Sequence, residues 1–252
     1  MSEFLPTGEP AGFEPRRFRY VGKHVMPPHA HERGQFTCII SGVLNQETDT
    51  GIWVVPQRRL VWIPPGTVHG AHSRGVVEGW LVLAPAYYAQ RLPDRVCVLR
   101  TSHLLTAALE RLTEPNPPPG LTELLAPVIL VELDEAIAEE MQVPFPRTPG
   151  LRAIAQELLE APADARDLDD WARAAAMSTR SFTRHFEAET GMPFSEWKRR
   201  VIARRAVELL SSGESVADVA GGLGYESVSA FIAMFKRLHG RSPARFIAGG
   251  VT

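Results

Sequence analysis

The chain has 252 residues, of which 44% are hydrophobic and 22% charged, a composition that argues for a globular protein and against extensive disorder. Its two cysteines, Cys38 and Cys97, have the spacing of neither a metal site nor a redox motif, so we expect reduced thiols in the core rather than a disulfide. The net charge of −2 does not by itself indicate a nucleic-acid-binding protein.

The N-terminus predicts neither export nor membrane insertion. Residues Met1 to Gly8 lack the charged start and apolar run of a secretory signal, and no stretch reaches about eighteen uninterrupted apolar residues. We therefore expect a soluble cytoplasmic protein with no membrane partner.

The segment from about residue 16 to 98 is broken into short apolar runs by Gly and Pro at roughly ten-residue spacing. Such runs predict many short strands, which favours a small β-barrel or sandwich. The clearest runs are Phe36–Ile40, Gly51–Val55, Leu60–Ile63 and Gly79–Leu83.

Two histidine-containing motifs lie among these predicted strands. The first runs from Pro28 to Gln35 and is followed by Ser41-Gly42, and the second runs from Ile63 to His69. Together they resemble the two motifs of the cupin barrel, which implies a cupin-like sensing domain over residues 1–100. In metal-binding cupins two histidines, a carboxylate and a later histidine surround one divalent ion. The matching positions here are His29, His31, Gln35 and His69.

These four residues are the candidate ligand-binding and metal-binding residues. Strand alternation places 29, 31 and 35 on one side of an unbroken strand. Three imidazoles can hold zinc, nickel, iron or copper, with Gln35 as a weaker oxygen ligand or an effector contact. Because Gln35 replaces the usual carboxylate, a bound ion keeps its positive charge, which favours an anionic effector. The alternative is a dry or organic-ligand pocket in which the histidines only form hydrogen bonds.

Two helices are predicted next, over 101–112 and 121–140, separated by the proline-rich segment 115–120. They form a helical connector over 101–142, whose apolar face either packs on the barrel or mediates homodimerisation. Residues 143–150 contain three prolines and are predicted to be a linker.

From residue 151 to 250 the pattern is helical. It contains two stretches, Leu168–Phe186 and Val216–Phe235, that each predict a short helix, a tight turn and a longer helix. This is the helix-turn-helix pattern, which places the second helix in a groove of double-stranded DNA. The predicted helices are 151–160, 168–176, 179–189, 194–211, 216–222, 226–239 and 243–248.

The first longer helix presents a base-reading face. Phe182 and Phe186 are four residues apart and belong to the core, which leaves Arg180, Thr183 and Arg184 facing outward. Arginine can donate two hydrogen bonds to guanine, and threonine offers a hydroxyl or a methyl group. We therefore expect this helix to carry most of the direct readout.

The second longer helix has small or apolar residues on its outward face, which suit close approach and contact with a thymine methyl group. Glu226 or Ser227 is expected to cap this helix. Its candidate DNA-binding residues are Val228, Ser229, Ala230 and Ala233, and the basic helix between the two units adds Lys198, Arg199 and Arg204 as candidate phosphate contacts.

The last hundred residues resemble the AraC-type family of bacterial transcription regulators. The resemblance rests on Phe182…Phe186-Glu-Ala-Glu-Thr-Gly191, the long helix Pro193–Leu210, the Ala-Asp-Val-Ala segment that ends at Gly224-Tyr225, and Phe231…Phe235-Lys-Arg…Gly240-Arg-Ser-Pro243. In that family the long helix joins two helix-turn-helix units, so that both recognition helices can enter successive major-groove segments.

The sequence thus predicts a two-domain α+β protein that regulates transcription. Its N-terminal domain would bind a small molecule or a metal, and its C-terminal domain would bind promoter DNA, as a homodimer and with RNA polymerase as a partner if it is an activator. The alternative is a metal-dependent cupin enzyme such as an oxygenase, with Glu32 as the nearby acid or base.

Overall fold

The computed structural model describes residues 14–84, 86–114 and 116–248. The expectations for Met1 to Gly8, for Pro115 and for residues 249–250 fall outside this described part. Within it, the predicted two-domain α+β architecture is confirmed.

The N-terminal part is a sandwich of two antiparallel sheets. The order in the six-stranded sheet is β1-β8-β3-β6-β9-β10, and that in the five-stranded sheet is β11-β5-β4-β7-β2. The strands are β1 (Glu14–Val21), β2 (His24–His29), β3 (Gln35–Ser41), β4 (Val43–Thr48), β5 (Gly51–Pro56), β6 (Arg59–Ile63), β7 (His69–Ser73), β8 (Val76–Leu83), β9 (Cys97–Arg100), β10 (Ala138–Glu139) and β11 (Gln142–Pro144).

The prediction of a barrel is wrong, because the described strands do not close into one. β1 and β10 are the edges of one sheet and β11 and β2 the edges of the other, and among the described residues no strand pairing joins the two sheets. Cupin-like histidine motifs and short strands are compatible with either a closed barrel or an open sandwich. Periodicity indicates which residues face inward but not which strands pair.

The helices follow the sandwich and fill the C-terminal half. They are α1 (Ala86–Ala89), α2 (His103–Leu112), α3 (Leu121–Asp134), α4 (Pro149–Glu160), α5 (Leu168–Ala174), α6 (Thr179–Thr190), α7 (Phe194–Ser211), α8 (Val216–Gly222), α9 (Val228–His239) and α10 (Pro243–Ala248). Among the described residues, no helix combines the length and apolar character needed to cross a bilayer.

Helix α3 is shorter than the predicted 121–140. It ends at Asp134, and the residues that follow add an edge strand to each sheet. Glu139 accepts hydrogen bonds from the guanidinium groups of Arg59 and Arg100, and Met141 is buried in the core. These tertiary contacts outweigh the helical propensity of the segment.

The predicted connector packs on the six-stranded sheet, which was one of its two expected roles. Leu105 and Leu109 of α2 and Ile129 and Leu133 of α3 share a buried cluster with Trp80. Because this cluster uses only one side of the helical pair, Leu104, Leu124 and Val131 remain exposed.

The predicted linker is part of the folded core. Residues of β11 pair with β5, and Val143 and Phe145 are buried in one cluster with Trp171 and Phe182 of the C-terminal domain. A proline-rich sequence excludes a helix here, but it leaves an edge strand possible.

Candidate functional site

The first recognition helix, α6, is bounded by local capping residues. The Ser178 side chain accepts a hydrogen bond from the Ser181 N–H, and Gly191 ends the helix with a left-handed φ of 75°. Helix α9 repeats this arrangement, with Ser227 capping its start through the Ala230 N–H and Gly240 at its end with φ 72°. Of the two candidate caps, Ser227 therefore fills the role.

Helix α6 presents the side chains that its periodicity predicts. Phe182 and Phe186 are fully buried, whereas Arg180 and Arg184 are exposed. Thr183 is half-buried, and its hydroxyl donates to main-chain carbonyl oxygens of the preceding turn. Two guanidinium groups thus lie on the outward face of the helix, where they can meet the edges of base pairs.

Helix α9 has an outward face of different chemistry. Phe231 and Phe235 are buried, and the exposed residues over 228–233 are small or apolar. These residues can approach a groove closely but offer little hydrogen bonding. The exposed set is Val228, Ser229, Ala230 and Ala233.

Arg204 does not lie on a DNA-facing surface, so its prediction as a phosphate contact is wrong. It is only 7% exposed, and it donates to Glu208 at 2.6 Å, to the Leu159 carbonyl oxygen at 2.9 Å and to Asn45 of β4 at 3.3 Å. The five-stranded sheet covers this side of α7. The sequence pattern of one helix cannot show which of its faces another domain covers.

The other two basic candidates on α7 are half-buried. The ammonium group of Lys198 donates to the Asp164 carbonyl oxygen at 2.6 Å, and burial lowers its pKa. Arg199 lies next in the chain and is also half-buried. Arg204 is buried and Lys198 is bound to a main-chain oxygen, so a phosphate contact stays a prediction for Arg199.

A second basic segment was missed. Lys236 and Arg237 are exposed in the last turn of α9, and Arg245 is exposed in α10. With Arg241, they put four basic residues into ten positions directly after the outward face of α9. That density, which is visible in the sequence, is the signal that could have identified them.

The second candidate site is formed by three histidines at one end of the sandwich. His29 ends β2, His69 begins β7 opposite it, and His31 lies in the loop that follows β2. Each of the three offers a ring nitrogen within 4.8 Å of the nitrogens offered by the others. We call this cluster the three-histidine site.

Main-chain carbonyl oxygens accept a hydrogen bond from Nδ1 of each ring. Nδ1 of His29 donates to the Pro27 carbonyl oxygen at 2.9 Å, and Nδ1 of His69 donates to that of Thr67 at 2.8 Å. Nδ1 of His31 likewise donates to the Arg33 carbonyl oxygen. In a neutral ring with Nδ1–H, Nε2 carries the free lone pair, which is the tautomer that binds metals through Nε2.

Burial keeps His69 neutral and leaves its Nε2 without a partner. The residue is 1% exposed, and in the described part of the chain Nε2 forms no hydrogen bond. Its pKa is lowered to about 4, chiefly by burial and also by His29 and His31. A buried acceptor that lacks a donor is costly, and an electron-pair acceptor at this point would remove that cost.

Gln35 is the fourth predicted member, and it contacts one histidine. It is 5% exposed, its Oε1 lies 2.9 Å from Nε2 of His31, and its Nε2 donates to the Thr37 hydroxyl. The Gln35 Oε1 and the His31 Nε2 therefore lie close enough together to contact a common ion. The donor set therefore fits a divalent transition ion. Glu32, the acid or base of the enzyme alternative, is exposed.

Comparison with known proteins gives matches over both halves of the chain. An AraC-like ligand binding domain matches residues 10–177, and a helix-turn-helix domain matches residues 171–249. The HTH-type transcriptional regulator NimR of Escherichia coli is 32% identical over 228 residues, which cover 88% of this chain and 82% of NimR.

Two solved structures are also similar. The DNA-binding domain of AdpA, a global transcriptional factor solved in complex with a target DNA, is 34% identical over 38% of this chain and 87% of that one, with a TM-score of 0.36. ToxT from Vibrio cholerae is 10% identical over 96% of this chain and all of that one, with a TM-score of 0.41.

The ligand-binding match covers more than half of the chain, and NimR matches nearly its whole length. Together with the two capped helix-turn-helix units on either side of α7, these matches establish the architecture of a DNA-binding regulator with an N-terminal ligand-binding domain. The chain belongs to the AraC family of transcription regulators.

Proposed function

We propose that this regulator acts in the cytoplasm and that its binding to promoter DNA is set by what occupies the three-histidine site. The observation that carries the proposal is the shared tautomer of the three rings. Each Nδ1 is bound to a main-chain carbonyl oxygen, which leaves the Nε2 atom of each ring to meet a ligand. Nδ1 bonds of this kind orient histidines in metal sites.

The residues that would hold the ion are His29, His31 and His69, with Gln35 as a weaker oxygen ligand. Imidazole ligands suit zinc, nickel, iron or copper. In the described part of the chain, the clustered ligands are all histidines and include no carboxylate, so a bound divalent ion would keep its charge and could receive an anionic effector. The effector is then the ion itself or a small anion upon it.

On the DNA side, we propose that Arg180 and Arg184 read guanine and that Thr183 lies against the same base pairs. The small outward residues of α9 would approach a second groove segment, close enough to contact a thymine methyl group. Arg199, together with the missed segment Lys236–Arg245, would bind phosphates and set the salt dependence of binding.

We further propose that the chain acts as a homodimer through the exposed side of α2 and α3. Leu104, Leu124 and Val131 are all more than half exposed on this helical pair, whose other side is committed to the six-stranded sheet. A two-fold contact would cover the same residues on both copies. If the regulator is an activator, RNA polymerase is a further partner.

The deciding experiment for the site is elemental analysis of untagged protein purified without chelator. We expect about one equivalent of a transition metal in the wild type and in His103→Ala, which removes an exposed histidine of α2. His31→Ala should lose the metal. A metal content that is unchanged in His31→Ala, or absent from the wild type even after soaking, would contradict the proposed site.

A further inference from the structure

The turn between β4 and β5, residues Thr48, Asp49 and Thr50, lies next to the three-histidine site. Thr48 is the partner of His69 in the ladder between β4 and β7. The Thr48 hydroxyl accepts a hydrogen bond from the Thr50 N–H at 3.1 Å and lies 3.0 Å from the Thr50 hydroxyl. The conformation of the turn is therefore tied to the residue that pairs with a histidine of the site.

The C-terminal domain holds the other side of the same turn. The Thr50 carbonyl oxygen accepts from the Phe145 N–H at 2.9 Å, and the Asp49 carbonyl oxygen accepts from Nη1 of Arg152 at 2.8 Å. The Arg152 guanidinium also lies 4.6 Å from the centre of the Phe145 ring. Two consecutive carbonyl groups of the turn are thus bound by residues at the start of the DNA-binding half.

Phe145 and the residues that follow it also contact the first recognition helix, α6. Phe145 is buried in the cluster that contains Phe182 and Phe186 of α6. Glu189, in the last turn of α6, accepts hydrogen bonds from the N–H groups of Arg147 and Thr148 at 2.6 and 2.8 Å, and from the Thr148 hydroxyl at 2.5 Å. The segment 145–148 is therefore fixed at one end to the turn and at the other to α6.

The second unit is attached to the sandwich elsewhere. Gln57 donates to the Ile247 carbonyl oxygen at 2.6 Å, and the Arg59 guanidinium lies over the Phe246 ring at 4.5 Å. Neither contact involves β4, β7 or the turn that joins β4 to β5. The hydrogen bonds described above therefore lead from the turn beside His69 toward α6, whereas α9 shares a buried apolar cluster with Leu44 of β4 and Ala71 of β7.

We propose that the Thr48–Asp49–Thr50 turn couples the three-histidine site to the orientation of α6. The inference rests on the proposed occupation of that site. Occupation would fix His69 and with it the β4–β7 ladder and the turn, and Arg152 and Phe145 would transmit the resulting position to the segment that Glu189 binds. This contiguous set of contacts amounts to a coupling only if occupation of the three-histidine site changes the behaviour of α6. The size of that effect is a measurable free energy.

The test uses the full chain, with zinc as the probe of the site. Arg152→Met keeps an unbranched side chain against Phe145 but removes the donor to Asp49, and Thr48→Val keeps the shape of the residue but removes the hydroxyl. Gln57→Ala is the control, because it removes a hydrogen bond of the same type between the domains but at the second unit. Zinc binding is measured by calorimetry, and amide hydrogen exchange is followed over residues 179–190 with and without zinc.

In the wild type and in Gln57→Ala we expect zinc to slow exchange in 179–190 by about fivefold or more, the lower end of typical coupling factors. In Arg152→Met and Thr48→Val we expect zinc to bind while the slowing is lost. Zinc binding with undiminished slowing in either folded variant overturns the coupling alone. Failure of the wild type to bind zinc overturns the proposed site, and this inference with it.

Discussion

The indole N–H of Trp197 in α7 donates to the carbonyl oxygen of Pro144 in β11, at 2.6 Å. Since β11 pairs with β5, this bond fastens the helix between the two DNA-binding units to an edge strand of the sandwich. Strand β11, which overlaps the start of the predicted linker 143–150, therefore contacts both domains.

The first prediction concerns the boundary of the DNA-binding domain. A fragment of residues 149–252 lacks Val143 and Phe145, which are buried beside Trp171, and also lacks the acceptor of Trp197. We expect its free energy of unfolding to be lower by about 3 kcal/mol or more than that of a fragment of residues 141–252, because an aromatic core residue is lost. Urea denaturation followed by circular dichroism measures this difference. Equal midpoints and slopes would show that the strand is dispensable.

The second prediction separates base reading from phosphate binding. Arg184→Ala should weaken binding to a site selected from random duplexes by about 1–3 kcal/mol and relax the preference at one base pair. Arg199→Ala should weaken binding to all sequences alike. Titrations of both variants on the selected duplex and on a shuffled one provide the comparison. A loss for Arg184→Ala that is the same on both duplexes would remove its role in base reading.

The third prediction concerns the salt dependence of DNA binding. A plot of log affinity against log salt concentration has a negative slope. Lys236→Ala should reduce the magnitude of this slope by about one, since one phosphate contact is lost. Arg173→Ala, which removes an exposed arginine paired with Asp170, is the control and should leave the slope unchanged. If both variants retain the wild-type slope, the basic segment after α9 does not contact phosphate.

The fourth prediction concerns Arg204, whose partners make it a structural residue. Arg204→Met leaves Glu208, only 14% exposed, with Arg205 as its remaining ion-pair partner. We expect a loss of about 3 kcal/mol in the free energy of unfolding, because breaking a buried pair leaves a charge poorly compensated. The salt slope of DNA binding should not change. A salt slope of smaller magnitude with unchanged stability would show that Arg204 contacts phosphate after all.

The fifth prediction is an acid-dependent loss of stability from His239. Its pKa is lowered to about 4, chiefly by burial, against an ordinary value of 6.5. The unfolded chain therefore takes up this proton between pH 6.5 and 4 while the folded chain does not, so stability falls as the pH decreases through that window. Above pH 6.5 this residue contributes no pH dependence.

The variant His239→Phe keeps an aromatic ring between Phe235 and Phe246 but cannot titrate. Its free energy of unfolding, measured in chelator to exclude metal effects, should fall less steeply than that of the wild type between pH 6.5 and 4. A parallel fall in the two proteins would assign the acid sensitivity to other groups, among which His69 has a pKa lowered in the same direction.

What could be read from the sequence was the part of the structure that local contacts determine. The predicted helix 216–222 has the same bounds as the observed one. The predicted helix 179–189 ends one residue before the observed helix, which ends at Thr190. Their caps, Ser215, Ser178 and Gly191, lie within a few residues of the groups that they satisfy. Such signals need no knowledge of the rest of the fold.

The errors fall where distant residues decide the outcome. Residues 135–140 leave the predicted helix because Arg59 and Arg100, far away in the sequence, bind Glu139. Arg204 turned out to be covered by β4, which lies about 160 positions earlier in the chain. The order of strands, and hence the open sandwich in place of a barrel, likewise depends on pairings that no single window contains. The three histidines were found because the cupin resemblance aligned two separate motifs.

Each helix-turn-helix unit contacts the sandwich through residues of its own. The α6 unit is held through β5 and β11 of the five-stranded sheet, and the α9 unit through Arg59 in the six-stranded sheet. In this regulator, a change within the sandwich would reach either unit directly, without first passing through the other.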